Sequence, residues 1–340
     1  MEGHSEQMHG AAKLSALAIA ASMLVACGGG STSSLPTTPS STGTAPGVPR
    51  GGAQLLPRTI LSTDGHPVVM FYNKFTETSG KVGNELYTGT APASGTQPLL
   101  YNGGPVQTGP KMYLVFWGGA WNSTGDPNHE KTYYTNFVRG IGGSSWLATV
   151  TQYTQSNGQH VGNAGSVYAG VWTDTTDKVP GLNVSSYDVS LGQEAARAAA
   201  HFGDYGASAD YVILLAHGVK VYQFAGNSAS PSAYCAWHSS TYAVGHTIAF
   251  TNFPYISDAG YSCGAGSVNA PGTLDGVSIV GGHEQAETET DPQPDSGWID
   301  SSNGEIGDKC AWTGLQDTAF STGTFPTQPL WSNAANGCVQ

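Results

Sequence analysis

Residues 274–290 read LDGVSIVGGHEQAETET. The first half carries Val277, Ile279 and Val280, and the second half carries His283, Glu284 and Glu287. The segment lacks proline and is long enough for several helical turns, so it reads as a helix that enters a core with its apolar half. His283 and Glu287 stand four residues apart, so on a helix they lie one above the other on the same face. Glu284 is turned about 100° around the axis from His283. A helix whose charged end leaves a buried stretch is poorly explained by solubility alone.

Working outward, the chain alternates strand and helix candidates. The runs MYLVFW at 112–117, SVYAGVW at 166–172, DYVILLA at 210–216 and HTIAFTNF at 246–253 read as strands by length and by their β-branched and aromatic content. Asp126-Pro127 opens a helix as N-cap and first helical residue, with Tyr133, Tyr134, Phe137 and Ile141 along its apolar side. A short helix is expected over 145–153 and an alanine-rich one over 191–202. Between 54 and 107 only short runs such as PVVMFY at 67–72 suggest edge strands in a Gly-rich extension. The alternation predicts an α/β fold, a single domain with a mixed sheet and an active-site helix. No repeat of 20–50 residues is visible, which argues against a solenoid or propeller.

Composition narrows the function. The 340 residues carry 12 Lys+Arg against 24 Asp+Glu, a formal net charge of −12. Nucleic acid is therefore an unsuitable partner, because phosphate binding needs clustered cationic side chains. With 47 Gly and 19 Pro, and no Gly-X-Y period, both a long helical bundle and collagen are excluded. Only 11% of residues are charged, so the polar surface rests on Ser, Thr, Asn, Gln and Tyr, a pattern that suits an exported protein.

Export is also written at the N-terminus. Lys13 precedes the apolar run LSALAIAASMLVA at 14–26, which is too short to span a bilayer and reads as the core of a signal peptide. The run ends in Leu24-Val25-Ala26-Cys27, which looks like the lipobox of bacterial lipoproteins. That likeness implies a signal peptide over 1–26, lipidation of Cys27 and membrane attachment through it. Met8 is a plausible start, since residues 1–7 contain two Glu and no Lys or Arg. Residues 27–53 are almost wholly Gly, Ser, Thr and Pro, a composition that cannot offset its ordering entropy and reads as a disordered tether. Gly28 to Gly30 follow the cysteine with no Asp, which by likeness to sorted lipoproteins implies the outer membrane or cell surface. Residues 54–100 form an N-terminal extension, and 101–340 the main domain.

Apart from Cys27 there are four cysteines, Cys235, Cys263, Cys310 and Cys338, and no CxxC pair. A zinc ribbon is therefore not expected, and two disulfides are, in one of three connectivities. Pairing nearest neighbours gives Cys235–Cys263 and Cys310–Cys338.

The central motif is H-E-x-x-E, the spacing of the H-E-x-x-H zinc hydrolases with Glu287 in place of the second His. His283 and Glu287 can ligate one cation while Glu284 approaches a water beside it, as a general base. An open zinc site takes three protein ligands, so one more must come from elsewhere. Asp308 is the first candidate, set in a turn by Gly307 and Cys310; Glu305 is the second and Asp291 the third. Asp291 also stands before Pro292, where it would end the helix. His238, His217 and Tyr261 are all candidates for a further donor to a developing oxyanion. Two carboxylate ligands also suit Ca²⁺ or Mn²⁺.

Further residues carry a family resemblance. Gly103-Gly104-Pro105-Val106, Thr108-Gly109-Pro110 and the strand to Trp117 resemble the opening of the EXORDIUM / phosphate-induced protein 1 family. The resemblance continues through Cys235-Ala236-Trp237-His238, Asp275-Gly276-Val277, Thr290-Asp291-Pro292 and Glu305-Ile306-Gly307-Asp308-Lys309-Cys310, covering about residues 100–338. Bacterial relatives keep a His-Glu-x-x-Glu helix followed by Thr-Asp-Pro and are read as zinc-dependent peptidases. Plant relatives are extracellular growth-associated proteins that often lack the metal residues. The resemblance thus implies a surface-tethered zinc peptidase with a metzincin-like core, acting on a protein or peptide substrate. The competing expectation is a non-catalytic extracellular binding or signalling lipoprotein, with a structural metal or Ca²⁺.

Other motifs are weaker. Gly260-Tyr261-Ser262-Cys263-Gly264 matches G-x-S-x-G, but loop composition on both sides does not suit a nucleophile elbow. Cys235 as a thiol nucleophile conflicts with export, which favours an oxidised cysteine. His129-Glu130 is expected to face solvent, and His201 to sit at a helix end, where a cation suits the dipole.

Overall fold

The computed structural model describes residues 59–61, 67–72, 97–181, 187–230 and 233–340. The expected signal peptide and tether, Cys27 and most of the expected extension lie outside the described residues. Thirteen described strands run β1 (Thr59–Leu61), β2 (Pro67–Tyr72), β3 (Leu100–Tyr101), β4 (Lys111–Trp117), β5 (Tyr168–Asp174), β6 (Ala209–Leu215), β7 (Tyr234–Ala243), β8 (His246–Phe253), β9 (Trp298–Ile299), β10 (Gln316–Phe320), β11 (Gly323–Thr327), β12 (Leu330–Ser332) and β13 (Gly337–Val339). The described helices are α1 (Glu130–Ile141), α2 (Tyr187–Phe202) and α3 (Asp275–Thr290), with short 3-10 segments at Gly119–Asn122, Leu147–Gln152, Ile256–Cys263 and Asp308–Cys310.

Seven strands form one mixed sheet in the order β1-β2-β7-β8-β6-β4-β5. The β8-β6-β4-β5 half is parallel, and β7, β2 and β1 extend it antiparallel. All seven residues of β6 are buried, as a central parallel strand covered on both faces requires. Along β7 successive side chains serve opposite layers. Trp237 meets Tyr187 of α2 edge-on, whereas His238 beside it reaches Glu284 of α3. This alternation places α2 on one face and α3 on the other.

Every residue of α3 is buried. Its neighbours are α1, β7, β8, β11 and the 3-10 segments at Leu147–Gln152 and Ile256–Cys263. The small residues in the middle of the helix permit this enclosure. A Cβ at Gly281 would fall 2.2 Å from the Tyr134 ring, so only glycine lets α1 approach that closely. Ser278 Oγ donates to the Pro326 carbonyl at 2.7 Å and thereby fixes β11 against the helix.

The strands expected at 112–117, 166–172, 210–216 and 246–253 are present within two residues of those bounds, and the helix over 274–290 begins one residue later. Several details differ, among them the helix expected over 191–202, which begins at Tyr187. The first helix starts at Glu130 rather than 127, because His129 adopts a left-handed conformation (φ 59°). Asp126 still caps it from outside, accepting from Glu130 N at 2.7 Å and Lys131 N at 3.3 Å. Glu130, expected to face solvent, is buried and accepts from Ile256 N and from the Ser257 amide and hydroxyl. The 145–153 segment winds as a 3-10 turn, and PVVMFY lies one strand in from the edge, with β1 outside it.

The disulfides are Cys235–Cys263 and Cys310–Cys338. The first joins β7 to the segment leading into α3, and the second joins the Asp308 turn to β13. Two disulfides suit an oxidising, extracellular setting. Among the described residues no helix is long and apolar enough to cross a membrane.

Candidate metal centre

Helix periodicity brings His283 Nε2 within 3.0 Å of Glu287 Oε1. The turn at residues 305–310 delivers Asp308 to the same place. Asp308 Oδ1 is 3.6 Å from His283 Nε2, and its backbone N–H donates to Glu287 Oε1 at 2.9 Å. One ligand atom from each of His283, Glu287 and Asp308 lies within 4.8 Å of the others. The turn is pinned from outside: Gln328 Nε2 donates to Gly307 O at 2.7 Å, and Trp331 N to Ile306 O at 2.9 Å. Cys310, two residues beyond Asp308, holds it covalently.

Glu305 faces a different imidazole. His238 on β7 has Nε2 at 3.6 Å from Glu305 Oε2, and Nδ1 at 3.3 Å from Glu284 Oε2 and 3.7 Å from Glu287 Oε2. His238, Glu287 and Glu305 form a second convergent group that shares Glu287 with the first. Asp291 belongs to neither group. Its Oδ1 accepts from Gly297 N at 2.7 Å and Ser296 N at 3.3 Å, so it shapes the turn after α3, as expected of a residue before proline. Of the other two oxyanion-donor candidates, His217 is paired with Asp258 and Tyr261 is exposed; neither joins these groups.

Two contributors reach the site by strand pairing: His238, expected as an oxyanion donor and not as a partner of the carboxylates, and Phe71, which the sequence did not place there. His238 enters through the pairing of β7 with β8, and Phe71 through the pairing of β2 with β7. The Phe71 ring stacks on the His283 imidazole with centroids 3.7 Å apart, and on Trp312 at 4.8 Å. His283, Glu284, Glu287, His238 and Glu305 are no more than 1% exposed, and Asp308 is 5% exposed. The site is therefore closed, where a water-holding position open to solvent was expected.

Burial dominates the electrostatics. It pushes Glu284 well above the carboxylate range, with Glu287, Asp308 and Asp210 adding like-charge repulsion. Glu305 is raised by burial and then by Glu287, Asp291 and Asp308. Burial and the neighbouring His283 lower His238 to about 3, so its ring stays neutral. Among the described residues, the neutral His238 ring faces both Glu284 and Glu305, and Lys309 goes instead to Asp300 at 2.9 Å. Buried carboxylates facing neutral imidazoles must hold protons or a cation.

The residues fit a cation. A Cβ added at Gly307 would lie 2.6 Å from His283 Nδ1 and 3.0 Å from Glu287 Oε1, so this glycine leaves room that the ligand atoms need. One imidazole with two carboxylates is a donor set that Zn²⁺ accepts, and the oxygen share also suits Mn²⁺ or Ca²⁺. Gly307→Ala is expected to lower metal affinity by about 10–100-fold, read by competition with a chromophoric chelator. Unchanged affinity would show that the gap is not part of the site.

Comparison of the chain with protein-family models, with curated proteins and with solved structures returned no match.

Proposed function

We propose that the chain is an exported, zinc-dependent peptidase attached to the outer membrane or cell surface through lipidated Cys27. Its site is held by His283, Glu287 and Asp308, and the resemblance to the EXORDIUM / phosphate-induced protein 1 family and to metzincin-like cores belongs to this proposal. The observation that carries it is the meeting of these three groups, from a helix and a turn 21 residues further on, around one point. Glu284 stands outside that set, and among the described residues its Oε1 has no hydrogen-bond partner.

When bound, the cation would polarise the substrate carbonyl and acidify a water. Glu284 takes a proton from the attacking water and returns it to the leaving nitrogen as the C–N bond breaks. His238, neutral and in contact with Glu284 Oε2, orients that carboxylate. Asp308 serves twice, as a ligand and through the N–H that orients Glu287.

Complete burial of the site favours a second reading, in which the cation is a structural clamp between α3 and the 305–310 turn of a non-catalytic binding or signalling protein. Metal analysis of the purified chain tests what both readings share. About one zinc per chain is expected, as a three-ligand site holds, and Glu287→Ala should lose it. Absence of bound metal, or its retention by Glu287→Ala, would overturn the site. Hydrolysis separates the two readings.

A further inference from the structure

β2 lies antiparallel along β7, with Val68 opposite Ser239, Met70 opposite Trp237 and Phe71 opposite Ala236. Without β2, β7 would be the edge of the sheet, since its other side pairs with β8. β1 and β2 precede the rest of the sheet in the chain and belong to the same compact unit, Gly51–Gln340. Phe71 shares a sheet face with Ala236, and His238 is two residues along β7 on that same face. Its ring is fully buried between His283 and Trp312. The ladder shifts register between Phe71 and Tyr72, beside the imidazole. The neighbouring elements thus form a trough: β7 offers main-chain donors and acceptors, His283 and Trp312 form an aromatic slot, and a short strand of this chain fills both.

We propose that this trough is the binding site for an extended peptide, that β2 is its resident occupant, and that β2 must leave before a substrate strand can enter. Calling the incoming peptide a substrate rests on the peptidase reading above; the binding site does not. The chemistry defines the ligand. It is an extended segment that pairs antiparallel with β7, with a large aromatic side chain in the slot taken by Phe71. Main-chain pairing supplies sequence-tolerant affinity, and the slot supplies selectivity. Placed this way, the residue two before the aromatic one stands opposite His238, as Val69 does, and His238 reaches Glu284, Glu287 and Glu305. β2 therefore keeps the ligand groups closed to a carbonyl for as long as it stays paired.

The test uses the full chain loaded with zinc. A site-specific protease sequence is installed within residues 76–95, and the folded protein is cut there, which leaves the main domain assembled before β2 is freed. Cutting makes β2 a separate strand, so that its hold on β7 no longer gains from a covalent connection to it. A labelled peptide with the sequence of residues 66–73, HPVVMFYN, is then added in excess and its binding read by anisotropy. The cut chain should bind it, the uncut chain should not, and the peptide with Ala in place of Phe should bind at least about tenfold more weakly, as expected for an aromatic residue filling a buried slot. In the uncut chain, Phe71→Ala should speed removal of zinc by a chelator by at least about tenfold, as loss of a buried aromatic contact implies. Equal peptide binding by cut and uncut chains, no binding by the cut chain, or unchanged zinc removal in Phe71→Ala would each overturn the proposal. Peptide binding and faster zinc removal without hydrolysis would leave the binding site standing and refute the peptidase reading alone.

Discussion

Glu284→Gln is expected to lower kcat/KM for peptide hydrolysis by about 10²–10⁴-fold, the contribution of a positioned general base. Zinc content should stay at the wild-type level. Glu284 lies one residue from His283 but belongs to neither of the two convergent groups, so its loss as a base does not remove a ligand. Glutamine keeps the shape, and its amide can take the place of Glu284 Oε2 in the 3.3 Å contact with His238 Nδ1. What it loses is proton capacity. The measurement pairs steady-state hydrolysis with metal analysis on the same preparation, and is made on chain cut between β2 and the main domain as well as on intact chain. Hydrolysis at the wild-type rate in Glu284→Gln would remove Glu284 from the mechanism. Loss of zinc together with activity would make Glu284 a ligand instead.

The parts of this site that were legible in the sequence are those that depend on local spacing. His283 and Glu287 follow from helical period, and Asp308 from a turn marked by Gly307 and Cys310. Strands β4 and β6 were readable as short, mostly apolar runs, and β8 by its β-branched and aromatic content. β7 was not, because Tyr234–Ala243 mixes Trp237 with His238, Ser239 and Ser240, all buried. Polar residues stand on both faces of β7, Ser239 beside Trp237 on one and His238 with Ser240 on the other, so the strand shows no alternation that hydropathy can detect. The neighbours contributed across the sheet were hidden for a second reason. That Phe71 meets His283, and that His238 meets Glu284, is decided by β2–β7 and β7–β8 pairing between distant segments. Nor could spacing show that Glu305 faces His238 rather than His283, although Glu305 and Asp308 leave the same turn.

Removing the cation should reverse the sign of the pH dependence of stability. In the unfolded chain the carboxylates titrate near pH 4. In the folded, metal-free protein, burial raises Glu284, Glu289 and Glu305 well above that, and Asp291 to about 7. Between these limits the folded state holds protons that the unfolded state has released. Stability therefore falls as pH rises from about 4 through neutrality. With zinc bound, the balance runs the other way, because the ligands must be deprotonated to hold it and affinity grows with pH. At free zinc about 1,000-fold above Kd the gain is about 4 kcal/mol, on the order of 10 °C in Tm for a domain of this size. Thermal melts at pH 5 and pH 8, with zinc and with chelator, read both slopes. The chelated protein should melt higher at pH 5 than at pH 8, and the zinc protein higher at pH 8. The acid end has a physical reason: protonation neutralises the crowded carboxylates of α3 and the 305–310 turn when no cation is there to do so. Parallel curves with and without zinc would mean that Glu287 and its neighbours do not hold the ion, and that their protons alone keep the helix buried.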